Sequence, residues 1–530
     1  MGLKQRIVER GKQALLQPSV LRWVTDDRVM KATEGLMDAR TRVKDAWKVL
    51  LNGNELPNID PALDENIGLT ETAVTKKSNG HANGHAATNG SATNGSATSA
   101  RVEPSERTEG SSDMAESMKE RSTLASVGGK DVFEKAFKFM AADNARKMGI
   151  YPYFRPLDFA DGPEAQINGK RVVMFGSNNY LGLTTHPKVR EAAKAAIDKY
   201  GTSMTGSRLV NGSMRLHEEF EEKLAKWFNK ESALVFTTGY QVNVATLAAL
   251  LSNKQSVAFI DRNVHASLYD GVRLGQSAGA RLVRYRHNDA ESLDKALEKL
   301  ESEEGAFVIT DGVFSAEGEI AKLDELVPVV KKHQARLFVD DAHALGVIGP
   351  GGMGTAAHFG LMDQVDLIGG TFSKSMASIG GWLVGERKVL DYIRHFAPSF
   401  MFAAAAAPPS VAAAMAAFEV MQEETWRIDK LRENFTYMRE GLRSLGFELG
   451  HTQTAVIPIY IRQDLRTIMM WRDLLEEHGI YTNPFISPGV PPKSAMLRTS
   501  YMATHERHHL DRALEAFEKV GKKYGVIGKK

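Results

Sequence analysis

Two short runs place a carboxylate and an amine where carbonyl chemistry could use them: Val339-Asp340-Asp341-Ala342-His343 and Gly370-Thr371-Phe372-Ser373-Lys374-Ser375. Each follows an apolar stretch that reads as a buried parallel strand, Leu337-Phe338-Val339 before the first and Val365-Asp366-Leu367-Ile368 before the second. A lysine amine condenses with an aldehyde, and an aspartate beside a pyridine nitrogen keeps that nitrogen protonated so that the ring accepts electrons. Those are the demands that pyridoxal phosphate (PLP) makes on a protein. Lys374 is the candidate amine, with burial favouring its neutral form, and becomes a general acid and base once substrate displaces it. Asp340 is the candidate pyridinium partner, and His343, three residues on, can reach the same pocket. Asp341 reads as a capping or solvent-facing carboxylate.

The cofactor would also need a phosphate cradle and a cover for its ring. Backbone N–H groups of Gly239 and Tyr240, where a strand turns into a helix beginning near Gln241, suit an anion, since a helix N-terminus favours negative charge. Thr371 adds a hydroxyl. His265, in Asn263-Val264-His265-Ala266-Ser267, offers a planar ring to stack on the pyridine. His186, His287 and the group His505, His508 and His509 read as surface or structural residues that nothing in the sequence brings together. The chain has no cysteine, which excludes disulfides, thiolate nucleophiles and cysteine zinc sites, and no metal centre is expected.

The elements that must position these side chains form three regions. Residues 1–62 have apolar residues at helical spacing with many Lys and Arg between them, and Pro18 divides them into two helices. Such a basic amphipathic segment could lie on an anionic membrane surface or pack on the catalytic region or a partner subunit. Residues 63–128 are polar and repetitive, with Asn-Gly-His and Asn-Gly-Ser repeats, and have too little apolar surface to offset their ordering entropy, so a flexible linker is expected. From about 129 the chain alternates apolar strands with helical stretches, the βαβ pattern of a mostly parallel sheet. Candidate strands at 233–236, 257–260, 306–309 and the two already named each run into a polar or glycine-containing turn, including Thr310-Asp311-Gly312 and Gly369-Gly370-Thr371. Ligands of open α/β sheets sit at such strand ends. The expected division is an arm at 129–180, a large cofactor-binding domain at 181–412, and a smaller α+β domain at 413–530 that opens on a long helix and continues through a strand near 455–460. At 530 residues there is room for a large core, and a formal net charge of +2 implies no nucleic-acid partner. Neither a membrane-length apolar run nor a signal peptide stands out, so a cytoplasmic protein is expected; the membrane alternative for residues 1–62 would place it peripherally on the inner face of the membrane.

From about Tyr151 onward the chain resembles the α-oxoamine synthases, fold-type I PLP enzymes. The resemblance rests on Ser177-Asn178-Asn179-Tyr180-Leu181-Gly182, Gly206-Ser207-Arg208, His265-Ala266-Ser267, Asp311-Gly312-Val313-Phe314-Ser315, the Asp340 and Lys374 runs, and Leu497-Arg498-Thr499. It implies a homodimer with active sites at the subunit interface and decarboxylative condensation of an amino acid with an acyl thioester. It also implies that Ser315 and His343 contact the cofactor's phenolic oxygen and Thr371 its phosphate, and that Asn178 and Arg498 hold the amino-acid carboxylate. A guanidinium fork pairs both carboxylate oxygens. Two departures stand out. Phe314-Ser315-Ala316-Glu317-Gly318 has Ala-Glu where the family usually has Met-Asp, and the run Ala403–Ala407 replaces a Ser or Thr that in relatives reaches the partner subunit's phosphate. Tyr151-Pro152-Tyr153-Phe154-Arg155-Pro156, Gly201-Thr202-Ser203 and Arg498-Thr499-Ser500-Tyr501-Met502-Ala503-Thr504-His505 look most like the branch that joins L-serine to a long-chain acyl-CoA, palmitoyl-CoA, at the entry to sphingolipid synthesis. Other branches take glycine or alanine with shorter or dicarboxylic acyl groups, and some members are non-catalytic subunits that lack the lysine. The lysine is present in this chain.

Overall fold

The computed structural model describes residues 131–528 apart from 488 and 492. The expected helical segment at 1–62 and linker at 63–128 lie outside the described residues. A short unit ending at Tyr151 holds the helices Glu134–Phe137 and Ala141–Lys147.

From Pro152 onward the chain builds three sheets. Strands β1 (Phe159–Asp161), β2 (Glu164–Ile167) and β3 (Lys170–Met174) form an antiparallel set closed by β12 (Ile480–Tyr481), which lies parallel to β3. The central sheet comprises β4 (Ser232–Phe236), β5 (Ser256–Asp261), β6 (Arg281–Tyr285), β7 (Gly305–Asp311), β8 (Arg336–Asp340), β9 (Leu367–Thr371) and β10 (Gly381–Gly385) in the order β4-β10-β9-β8-β7-β5-β6. Strands β6, β5, β7, β8 and β9 run parallel, and β10 runs antiparallel to both neighbours. The parallel strands read as near-continuous apolar runs because helices cover both faces of such sheets. A third sheet, β11 (Val456–Tyr460), β14 (Met496–Ser500) and β13 (Asn483–Phe485), is antiparallel. The central sheet is thus mixed but mostly parallel, the α/β architecture expected from the sequence.

Several local expectations shift. Gly369-Gly370-Thr371 is not a turn but the end of β9, because the glycines make room for rings: a Cβ on Gly370 would lie 2.8 Å from the Trp382 indole and one on Gly369 3.0 Å from Phe338. Val365 and Asp366 precede the strand. The Asp366 carboxylate instead accepts from Leu337 N at 2.8 Å and pairs with Arg336 at 2.6 Å, fixing the start of β8. Thr310 and Asp311 likewise belong to β7 rather than to a turn. The helix after β4 spans Gly239–Leu250 and starts two residues earlier than expected, since the Thr238 hydroxyl accepts from Gln241 N at 3.1 Å and caps it. The single long helix expected after 412 is two, Pro408–Glu423 and Trp426–Ser444, broken where Glu424 leaves helical geometry.

Candidate active site

Strand register brings the acids together. Asp340, the last residue of β8, sits opposite Asp311 of β7 and Gly369 of β9. Asp340 accepts from Ala342 N at 3.0 Å and from the Asn243 amide at 2.7 Å. The same amide nitrogen donates to Ser267 Oγ at 2.8 Å, and that hydroxyl lies 2.7 Å from His265 Nδ1. A buried relay thus runs from the candidate pyridinium partner to the candidate ring cover, and it fixes Asp340 in one rotamer. His265 caps the helix Ala266–Ser277, and its backbone N–H donates to Asp311 Oδ1 at 3.3 Å. Burial, together with the Lys374 cation, outweighs the pull of Asp340 and holds the imidazole below its ordinary pKa, in the neutral form suited to stacking. Asp311 is held well above the usual carboxylate range, by burial and then by Asp340 beside it.

Lys374 follows β9, and burial lowers its pKa to about 8, with Asp340 and Asp311 opposing and Arg498 assisting. Among the described residues its amine forms no hydrogen bond or salt bridge, so nothing competes with an incoming aldehyde. The Gly239 and Tyr240 N–H groups are likewise without a partner among the described residues. A Cβ on Gly239 would lie 2.6 Å from Thr371 Cβ, so the helix start and the end of β9 meet. Thr371 Oγ1 lies 2.8 Å from Ser373 Oγ and 3.0 Å from Gly380 O. The Tyr240 side chain points away, its hydroxyl on Asp270, so only its backbone can serve. Two free first-turn donors beside a hydroxyl pair suit a phosphate; with the Lys374 amine and the fixed Asp340 carboxylate, these residues fit PLP.

A second cluster gathers around Arg498 on β14. Its Nε donates to Ser315 O at 2.6 Å, both terminal nitrogens reach Asn178 Oδ1 at 3.1 Å, and Nη1 reaches Ser500 Oγ at 2.8 Å. The guanidinium is buried and, among the described residues, no carboxylate lies within salt-bridge distance of it. Burial lowers its pKa, which marks a cation short of counter-charge. Tyr180, whose phenol burial pushes up to about 12, lies with its hydroxyl 2.6 Å from His343 Nδ1 and 3.4 Å from Asn178 Oδ1. His343 is held well below its ordinary pKa by burial and by Lys374, Arg498 and His265. The Ser315 hydroxyl bonds to nothing among the described residues.

All ten candidates therefore fall into two linked clusters, one around Lys374 and Asp340 and one around Arg498. Asn243, Tyr180 and the Asp311 carboxylate carry the geometry yet were not singled out as candidates; the polar Asn243 inside an otherwise apolar helix face was the available signal. Asp341 corrects the solvent-facing reading: it is buried, accepts from Thr355 N at 2.9 Å as a cap, and burial raises its pKa to about 7. His505, His508 and His509 do come together, the His509 ring centroid lying 6.1 Å from that of His505 and 3.9 Å from that of His508. His505 is nonetheless structural, its Nδ1 accepting from Met502 N at 2.9 Å and its ring stacked on Phe175. In the alanine run, Ala404 bridges to Ser207, and Ala405 N donates to Gly206 O at 2.9 Å.

Comparison with known proteins agrees with this geometry. Residues 170–517 match the family model for aminotransferases of class I and II. A serine palmitoyltransferase of Sphingobacterium spiritivorum is 43% identical over 389 residues, 73% of this chain and 96% of that protein. An 8-amino-7-oxononanoate synthase of Thermoanaerobacter pseudethanolicus is 38% identical over 386 residues, covering 73% and 96%. Among solved structures, a serine palmitoyltransferase variant from S. paucimobilis with a bound PLP–myriocin aldimine superposes with a TM-score of 0.72 at 34% identity, covering 75% of this chain and 100% of that one. With a Lys374–Asp340 pair that fits PLP and relatives of this identity, the chain belongs to the class I and II aminotransferase family, as a PLP-dependent acyltransferase of the α-oxoamine synthase group.

Proposed function

We propose that the chain condenses L-serine with a long-chain acyl-CoA, palmitoyl-CoA, to give 3-ketodihydrosphinganine, CO2 and CoA. The observation that carries the amino-acid half is Arg498, a buried cation whose fork is held by Asn178 and Ser315 and which lacks a carboxylate partner among the described residues. A substrate carboxylate would supply that charge bidentately. Serine as the amino acid is supported by the 43% identity to a protein of that name. The 38% identity to an 8-amino-7-oxononanoate synthase favours a second reading, with glycine or alanine and a shorter or dicarboxylic acyl group in the same site.

When bound, PLP supplies an electron sink for the bonds at the substrate Cα. Lys374 would hold it covalently and, displaced by substrate, take the proton from Cα and later return one. Asp340, held by Asn243, would face the pyridine nitrogen, and His265 would lie against the ring. Thr371 and the Gly239 and Tyr240 N–H groups would take the phosphate, with Ser315 and His343 on the phenolic oxygen. Arg498 and Asn178 would fix the carboxylate and so choose which Cα bond stands perpendicular to the ring. Overall the bond from Cα to the acyl carbon forms, the thioester C–S bond breaks with the thiol taking a proton, and the Cα–carboxylate bond breaks to release CO2. The same reading carries a homodimer in the cytoplasm, with peripheral membrane contact through residues 1–62.

The test is to incubate the holoenzyme with palmitoyl-CoA and an equimolar amino-acid mixture and to identify products by mass spectrometry. A 3-ketodihydrosphinganine mass that requires L-serine supports the proposal. A glycine or alanine product, or product only with a short acyl donor, moves the chain to the second reading, and no condensation product from any pair overturns both.

A further inference from the structure

Outside the residues assigned above, a group of buried and partly buried ionisable side chains surrounds His287. Its Nδ1 lies 3.1 Å from Asp261 Oδ1, its Nε2 lies 3.5 Å from Glu319 Oε2, and its ring stands edge-on to Phe314 at 4.3 Å. Asp261 is fully buried at the end of β5, and its two oxygens also accept from Asn263 N at 2.8 Å and Asn288 N at 2.6 Å. Asn263 is two residues before His265, and its amide donates to Glu317 Oε1 at 3.0 Å. Glu317 follows Ser315 by two residues, and its other oxygen is buried without a hydrogen-bond partner among the described residues. Asn288 completes the link from the far side, donating to Ile320 O at 3.0 Å and accepting from Lys322 N at 2.8 Å. Three carboxylates thus surround one imidazole, at the joint between the loop that carries His265 and the turn that carries Ser315.

We infer that His287 is a positioning residue for the active site, the imidazole that ties the His265 loop to the Ser315–Glu317 turn. That turn matters because Ser315 O is the acceptor for Arg498 Nε, so a turn that drifts takes the carboxylate clamp with it. The inference rests on the PLP-fold assignment and not on which amino acid the enzyme uses. His287 is structural in burial, as its sequence context suggests, but it lies between the two halves of the site.

Protonation accords with the geometry. Burial alone would lower the His287 pKa; bonding to Asp261, pairing with Glu319, and the fields of Asp261 and Glu317 overcome it and raise the value to about 9. The neighbouring charges are those three acids, with His451 and Lys322 acting on Glu319, and Arg286, which pairs with Asp289 in the same loop. A raised folded-state pKa means that the stabilisation is complete below the ordinary histidine value and is lost as pH rises through about 9.

The experiment compares wild type with His287→Gln and Glu319→Gln. Readouts are the thermal midpoint of each PLP-free protein against pH, visible circular dichroism of each holoenzyme, and the L-serine dissociation constant from the shift in visible absorption. Wild type is expected to lose thermal stability through about pH 9. His287→Gln is expected to lose that step, weaken L-serine roughly tenfold and reduce the visible dichroism of the cofactor. Glu319→Gln, a near-isosteric change at a partly exposed side chain, is expected to move the step to lower pH. An unmoved step in Glu319→Gln, or unchanged serine affinity and dichroism in a folded His287→Gln, overturns the inference. Should His287→Gln fail to fold, the Glu319→Gln step alone decides. Should wild type not bind L-serine, the function proposed above fails, while the melting and dichroism outcomes still judge His287.

Discussion

Lys374 has to be deprotonated before it can attack an aldehyde, and its surroundings arrange this. An ordinary lysine near 10.4 is only about 0.4% neutral at pH 8, whereas one lowered to about 8 is about half neutral there. The rate at which added PLP attaches covalently to the cofactor-free protein should therefore rise with pH up to about 8 and level off above it, as stopped-flow absorbance would show. A rate still climbing tenfold per unit between pH 8.5 and 10 would mean that the amine is not desolvated as described. Lys374→Ala should abolish both the covalent absorption band and turnover. The residues proposed to perform chemistry were legible because few side chains can do it and these lie at or near strand ends. Their supports were not. Asn243 reaches Asp340 across 97 residues of sequence, and Tyr180 reaches His343 across 163. An amide or a phenol has no periodicity that announces so distant a partner.

At the scale of elements, the apolar runs at β4, β5, β7 and β8 announced themselves, since a strand buried on both faces is apolar throughout. Strands β6 and β10 were missed for opposite reasons. Arg281-Leu282-Val283-Arg284-Tyr285 is an edge strand with charged residues, and Gly381–Gly385 begins and ends in glycine, which propensity counts against strands. The glycines of β9 misled in the same way. Their function is clearance: the Trp382 indole is fully buried and occupies the space above Gly370. Gly370→Ala puts a methyl group 2.8 Å from that rigid ring and should cost about 1–3 kcal/mol. It should appear as a lower denaturant midpoint at unchanged slope. Gly305→Ala is the control, for a Cβ there meets nothing within 4 Å and stability should change by less than about 0.5 kcal/mol. Equal effects at the two positions would show that packing on Trp382 does not limit β9.

At the scale of the whole molecule, three large apolar side chains stand exposed near the active-site motifs. Val210 is 78% exposed, Leu209 50% and Phe402 72%. They belong to two segments joined by the Ser207–Ala404 bridge and the Ala405–Gly206 hydrogen bond, so the three side chains share one region. Exposed apolar side chains gathered in one region suit an interface, and the homodimer in the proposed function would cover them. A stable interface needs roughly 1,200–2,000 Å² of buried surface, so one buried charge at its apolar centre should outweigh many peripheral contacts. Val210→Asp, fully solvated in an isolated subunit, should leave the monomer folded by circular dichroism while halving the mass seen by light scattering at micromolar concentration. The run Ala403–Ala407 bears no hydroxyl, so a partner's phosphate would receive no side-chain hydrogen bond from it. PLP retention should then depend on Lys374 and the cradle within each subunit, and the Val210→Asp monomer should hold PLP with less than about a tenfold loss of affinity. Restoring a hydroxyl with Ala405→Ser should tighten PLP in the wild-type background by about 0.5–1.5 kcal/mol and do nothing in the monomer. Tightening in both, or a dimer that survives the aspartate, would place the interface elsewhere on the surface.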